Sequence, residues 1–122
     1  MSESPNVIAI VDDDEDVREV LSALFDLSGY EVETFGSGSG FLEQVGLDRF
    51  ACLVVDLKMP GMTGLKLVAE LGSRGVRIPT LLITGATNEE VRRQAASSGI
   101  MTVLQKPISY RELLRFAAIS TQ

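Results

Sequence analysis

The sequence predicts a doubly wound α/β sandwich, a single parallel sheet between two layers of helices. Short apolar runs such as Val7 to Val11, Leu53 to Val55 and Leu81 to Ile83 alternate with segments whose apolar residues recur at spacings of three and four. These runs stop at Asp12, Asp56 and Thr84. Buried parallel strands read as continuous apolar stretches, and in open α/β sheets the reactive groups gather just past their carboxyl ends. The 122 residues fit one domain, taken as residues 1–122.

The first strand, Val7 to Val11, runs into Asp12, Asp13, Asp14, Glu15 and Asp16. A helix follows with Val17, Val20, Leu21, Leu24, Phe25 and Leu27 as its apolar side, closed by Gly29. Tyr30 to Phe35 alternates as a half-exposed second strand. The stretch Gly36 to Gly40 reads as a loop and weak helix start, with Phe41, Leu42 and Val45 on the apolar side of a short helix to about Gly46. The central strand ends at Asp56 and a Pro60-Gly61 turn, and Leu65, Leu67, Val68 and Leu71 mark a helix ending before Gly72. Ile78 to Ile83 is the fourth strand, with Pro79 near its start, where a missing N–H does least harm. Thr87-Asn88-Glu89-Glu90 has the form of a capping box opening a helix through Val91, Ala95 and Ala96. Met101 to Leu104 is the fifth strand, and Ser109 to Glu112 caps a helix burying Leu113, Leu114 and Phe116.

Composition excludes several classes of function. The net charge of -6 opposes direct binding to a phosphate backbone, so nucleic-acid contact by this chain is not expected. With no histidine, Ser-His-Asp and Cys-His catalysis and the usual zinc sites drop out. The single cysteine, Cys52, lies inside an apolar run and reads as a small buried hydrophobe. Met1 to Asn6 is polar and lacks the pattern of a signal peptide, and no apolar stretch approaches the ~18 residues of a membrane span. No membrane association and a cytoplasmic location are therefore expected.

The parallel order brings Asp12, Asp13, Asp56, Thr84 and Lys106 to one edge. Three neighbouring carboxylates repel one another unless a cation sits between them, and an oxygen-only donor set selects a hard ion such as Mg2+. A hydroxyl and an ammonium beside them suit the oxygens of a phosphoryl group. A calcium loop of the EF-hand kind over Asp12, Asp14 and Asp16 fails, because Val17 stands where glycine is needed and Ala23 where a bidentate glutamate belongs.

The acid pair, Asp56-Leu57-Lys58-Met59-Pro60-Gly61-Met62-Thr63-Gly64, Thr84 and Lys106-Pro107, in that order at successive strand ends, resemble the receiver domains of bacterial response regulators. The resemblance covers essentially the whole chain. It implies a flavodoxin-like (βα)5 fold with strand order 2-1-3-4-5 and a Mg2+-dependent phosphoacceptor switch that signals rather than turning over a metabolite, catalysing only its own phosphorylation and dephosphorylation. Asp56 is implied as phosphoacceptor, Thr84 as switch hydroxyl and Lys106 as the cation that meets the phosphate. Asp12, Asp13, Asp56 and the backbone carbonyl of Lys58 are implied around the metal, with Asp13 the direct ligand of the acid pair and Asp12 bound through water. A cis Lys106-Pro107 bond is implied as well. The implied phosphodonor is a sensor histidine kinase or phosphotransfer protein, and the fourth helix, fifth strand and fifth helix are the implied signalling and homodimer face. The domain stands alone or belongs to a longer regulator with an output domain.

The chain departs from the family pattern in two places. Val103 occupies the position of the usual switch aromatic, so the coupled Thr-aromatic switch is absent or altered, and Ile108 replaces a common phenylalanine. Two rivals stand beside this reading. A Mg2+-dependent aspartyl phosphatase wants a second acid where Lys58 stands, and a receiver-like interaction module that is never phosphorylated would not need the intact acids, Thr84 and Lys106.

Overall fold

The structure, a computed structural model, describes residues 7–100 and 102–121. Its elements are β1 (Val7–Val11), α1 (Glu15–Leu27), β2 (Glu31–Phe35), α2 (Gly38–Leu42), a 3-10 turn (Leu47–Arg49), β3 (Phe50–Asp56), α3 (Gly64–Ser73), β4 (Thr80–Thr84), α4 (Glu89–Ser97), β5 (Thr102–Gln105) and α5 (Tyr110–Ser120). The strands form one five-stranded parallel sheet in the order β2-β1-β3-β4-β5. The expected fold and strand order are therefore present.

Alternation along the strands divides the core into two layers. Ala9, Val11, Leu53, Val55 and Leu82 face one side, packed with Phe41, Leu67, Leu71 and Ala95 from the helices. Ile8, Ile10, Cys52, Val54, Leu81 and Ile83 face the other, against Leu21, Phe25, Leu113 and Ala117. Every residue of β3 is buried, which is why its sequence shows no polar alternation. Burial pushes the Cys52 thiol up to about 12, in keeping with an unreactive core residue. No helix among the described residues is long and apolar enough to cross a membrane.

Several local expectations are corrected. Leu27 and Val20 are exposed, so the buried stripe of α1 narrows to Leu21 and Phe25, flanked by partly buried Val17 and Leu24. The second helix stops at Leu42 instead of about Gly46, and Val45 is 91% exposed. Gly46 has a left-handed φ of 71°, which an α-helix does not continue through, and Arg49 Nη1 donates to the carbonyls of Val45 (2.6 Å) and Gly46 (3.0 Å). The guanidinium also pairs with Glu33 and lies over the Phe50 ring. The third helix runs on to Ser73, through Gly72. The fourth strand starts at Thr80, and Pro79 instead offers its carbonyl to the Leu53 N–H. The N-cap of α4 is Asn88, which accepts from the Val91 N–H, rather than Thr87. Ser109 caps α5 as expected, but Leu114 and Phe116 are only partly buried and Ala96 is exposed. Met101 and the polar start Met1 to Asn6 lie outside the described residues.

Candidate functional site at the carboxyl edge of the sheet

The strands fix the site residues through backbone bonds that continue the sheet one step past its edge. The Asp12 N–H donates to the Phe35 carbonyl (3.1 Å), the Leu57 N–H to that of Ile83 (2.8 Å) and the Lys106 N–H to that of Thr84 (2.9 Å). Asp12, Asp56 and Thr84 are buried, whereas Asp13 and Lys106 are exposed. All five expected side-chain positions thus meet at one edge.

One carboxylate oxygen from each of Asp12, Asp13 and Asp56 lies within 4.8 Å of the others. Asp12 Oδ1 accepts from the Asp14 N–H at 2.9 Å, while its Oδ2 is buried with no hydrogen-bond partner. Buried polar atoms are nearly always satisfied, so an orphaned carboxylate oxygen in an acid cluster marks a place suited to a cation. A donor set of carboxylate oxygens alone fits a hard divalent ion. Lys58 stands two residues past Asp56 with its side chain exposed to solvent.

Burial pushes the Asp56 carboxyl above its ordinary value, with nearby Asp13 adding to the rise and the Lys106 ammonium opposing it. Burial also raises Asp12, against the Asp14 N–H and Lys106, with Asp56 and Asp13 contributing to the rise. Both shifts express the cost of holding negative charge together out of water. Lys106 Nζ lies 3.4 Å from Asp56 Oδ1, and the Lys106-Pro107 peptide is cis. Thr84 Oγ1 donates to the Ala86 carbonyl (2.7 Å) and accepts the Ala86 N–H (3.3 Å), so its hydroxyl is engaged with the following loop.

The segment after Asp56 is shaped by two glycines. Gly61 follows Pro60 with φ of 83°, a conformation that favours glycine in a tight turn. Gly64 opens α3 so close to β3 that a Cβ there would stand 2.6 Å from the Asp56 carbonyl oxygen and 2.9 Å from Leu82 Cδ1. Met59 is buried beneath the loop, in the core layer that contains Phe41 and Leu67. Val103 is half-buried in a groove shared with Arg92, Ala96 and Ile100.

Arg18 and Asp14 escaped the sequence reading in their local roles. Asp14 caps α1 by accepting from the N–H groups of Asp16 and Val17, a role its place ahead of an apolar helical repeat could have signalled. Arg18 donates to the Asp12 carbonyl, a contact with no local sequence signal.

A family model described as "Response regulator receiver domain" matches residues 8–118. Among curated relatives, the response regulator protein TodT of Pseudomonas putida is 38% identical over 114 residues, covering 93% of this chain and 50% of the relative. The transcriptional regulatory protein FixJ of Azorhizobium caulinodans is 38% identical over 101 residues, covering 82% of this chain and 47% of that protein. The chain therefore spans about half the length of these relatives. Among solved structures, the chemotaxis protein CheY4 of Vibrio cholerae superposes with a TM-score of 0.86 at 27% identity, covering 98% of this chain and 99% of that one. With its strand order, its acidic edge and these matches in agreement, the chain belongs to the response regulator receiver domain family.

Proposed function

We propose that this domain is a phosphoacceptor switch in which Asp56 receives a phosphoryl group from the phosphohistidine of a sensor kinase or phosphotransfer protein, in a Mg2+-dependent reaction. The observation that carries this reading is the convergence, on buried Asp56, of two further carboxylates, the Lys106 ammonium and the Thr84 strand end. An Asp56 carboxylate oxygen attacks phosphorus as the donor P–N bond breaks. The bonding electrons leave with the imidazole, and an acyl phosphate remains on Asp56. A bound Mg2+ would supply charge neutralisation at the phosphoryl oxygens. Asp13 and the Lys58 carbonyl are the proposed direct ligands beside Asp56, with Asp12 acting through water. Lys106 exchanges its contact with Asp56 for one with a phosphoryl oxygen, and Thr84 releases Ala86 to bond the phosphate.

The acyl phosphate, with a charge of about -2 where the carboxylate had about -1, then biases the β4 to α4 loop. Val103 cannot swing a ring, so the change is carried by that loop and by α4, which buries only Ala95. Homodimerisation or output-domain contact through α4, β5 and α5 belongs to the same reading, since β5 is an edge strand with half-exposed residues. The test is phosphoryl uptake from acetyl phosphate followed with increasing Mg2+ and again after EDTA. Uptake that saturates with Mg2+ and stops in EDTA supports the reading, and uptake indifferent to the ion refutes its metal dependence.

A further inference from the structure

If the acidic turn is a metal site, its geometry depends on what holds the Asp12 main chain. Arg18 lies in the second turn of α1 and is half-buried. Its Nη1 donates to the Asp12 carbonyl oxygen at 2.7 Å. Glu15, Glu19 and Asp26 line the same recess. Yet the ion pairs among the described residues are Arg49 with Glu33, Lys66 with Glu70, Arg93 with Glu90 and Lys106 with Asp56, and Arg18 joins none of them. A guanidinium that shares its recess with three carboxylates directs its donor at the backbone of a buried acid.

The arm also reaches the end of β2. A Cβ built on Gly36 would stand 3.4 Å from Arg18 Nη1 and 3.7 Å from its Cζ, so the guanidinium lies along the main chain just after Phe35. The Asp12 N–H is held from the other side by the Phe35 carbonyl. With the Asp14 N–H on Oδ1, the Asp12 backbone and carboxylate are fixed at three points, and the remaining oxygen, Oδ2, is the buried one without a partner. Groups that orient a metal's ligands typically contribute roughly 10–100-fold to its affinity.

We propose that Arg18 is a positioning residue of the metal site, holding the Asp12-Asp13 turn through the Asp12 carbonyl. This rests on the metal reading above. It predicts the opposite of a simple charge effect: removing a nearby cation strengthens Mg2+ binding by Coulomb's law, whereas loosening the turn weakens it.

The test titrates Mg2+ alone into the full chain and follows the amide NMR shifts of Asp13 and Leu57. Arg18→Ala is expected to weaken Mg2+ affinity by about tenfold, with part of the loss recovered in Arg18→Gln, which lacks the charge but keeps a donor. Gly36→Val, which retains the arginine and crowds its resting place, is expected to weaken binding in the same direction and keeps the test open if Arg18→Ala does not fold. Parent protein that binds Mg2+ with unchanged or tighter binding in the variants overturns the positioning role alone. Parent protein that does not bind Mg2+ overturns both the role and the metal reading.

Discussion

Lys106 Nζ sits 3.4 Å from Asp56 Oδ1, joining the end of β5 to the end of β3 across the intervening β4. Asp56 is buried and Lys106 half-exposed, so the pair links a carboxylate in a low-dielectric pocket to a cation at its mouth. On the proposed reaction the ammonium meets charge that develops on the phosphoryl oxygens, where a pre-placed donor is most effective. Lys106→Ala is expected to slow phosphoryl uptake from acetyl phosphate by about 10²-fold while leaving the fold intact by circular dichroism. An unchanged rate would remove Lys106 from the reaction.

The raised carboxyls give stability a definite pH dependence in the absence of metal. Burial lifts Asp12 above the ordinary value it has in the unfolded chain, so the folded state binds its proton more tightly. The linkage has one sign: stability falls as pH rises from the unfolded value through the folded one, and the penalty persists above it. Asp12→Asn is therefore expected to raise the Tm at pH 7 in EDTA, an advantage that shrinks as pH falls through the raised folded value and is gone below about pH 4. It is also expected to lose part of the stabilisation that Mg2+ gives the parent. Thermal melts at several pH values, with and without Mg2+, check both halves.

Gly64 is a steric requirement of the close approach between α3 and the end of β3. A Cβ 2.6 Å from the Asp56 carbonyl oxygen meets backbone, which cannot swing aside. Gly64→Ala is expected to cost about 1–3 kcal/mol in urea unfolding and to slow phosphoryl uptake by displacing Asp56. Full parental stability would mean that α3 shifts freely.

Thr84 holds the loop that follows it. Thr84→Val keeps the shape but loses both bonds to Ala86, with an expected cost of about 1 kcal/mol. Phosphoryl uptake should persist in this variant, whereas the phosphorylation-induced amide shifts of Gly85 to Thr87 should shrink. Unaltered shifts would show that the switch does not pass through the hydroxyl.

The strand ends were legible because a strand covered on both faces leaves no polar alternation, and β3 is buried at all seven positions before the chain turns at Pro60-Gly61. Asp12, Asp13, Asp56, Thr84 and Lys106 could be grouped from sequence because parallel connection alone sends them to one edge. The path of the chain after α2 could not be read, since it depends on a side chain, Arg49, that folds back onto Val45 and Gly46 while pairing with Glu33 of β2. Thr87 and Asn88 are both capping residues, and only tertiary placement made Asn88 the cap and left Thr87 Oγ1 buried without a partner. Arg18 was silent for the same reason: its contact depends on how α1 lies across the ends of β1 and β2.

The most direct test of the central claim is the intact mass of the protein after incubation with Mg2+ and acetyl phosphate, beside Asp56→Asn treated identically. The expected result is a single adduct of ~80 Da on the parent, labile to hydroxylamine and absent from the variant. An adduct that persists in Asp56→Asn, or no adduct on the parent at any Mg2+ concentration, would contradict the assignment of Asp56 as phosphoacceptor.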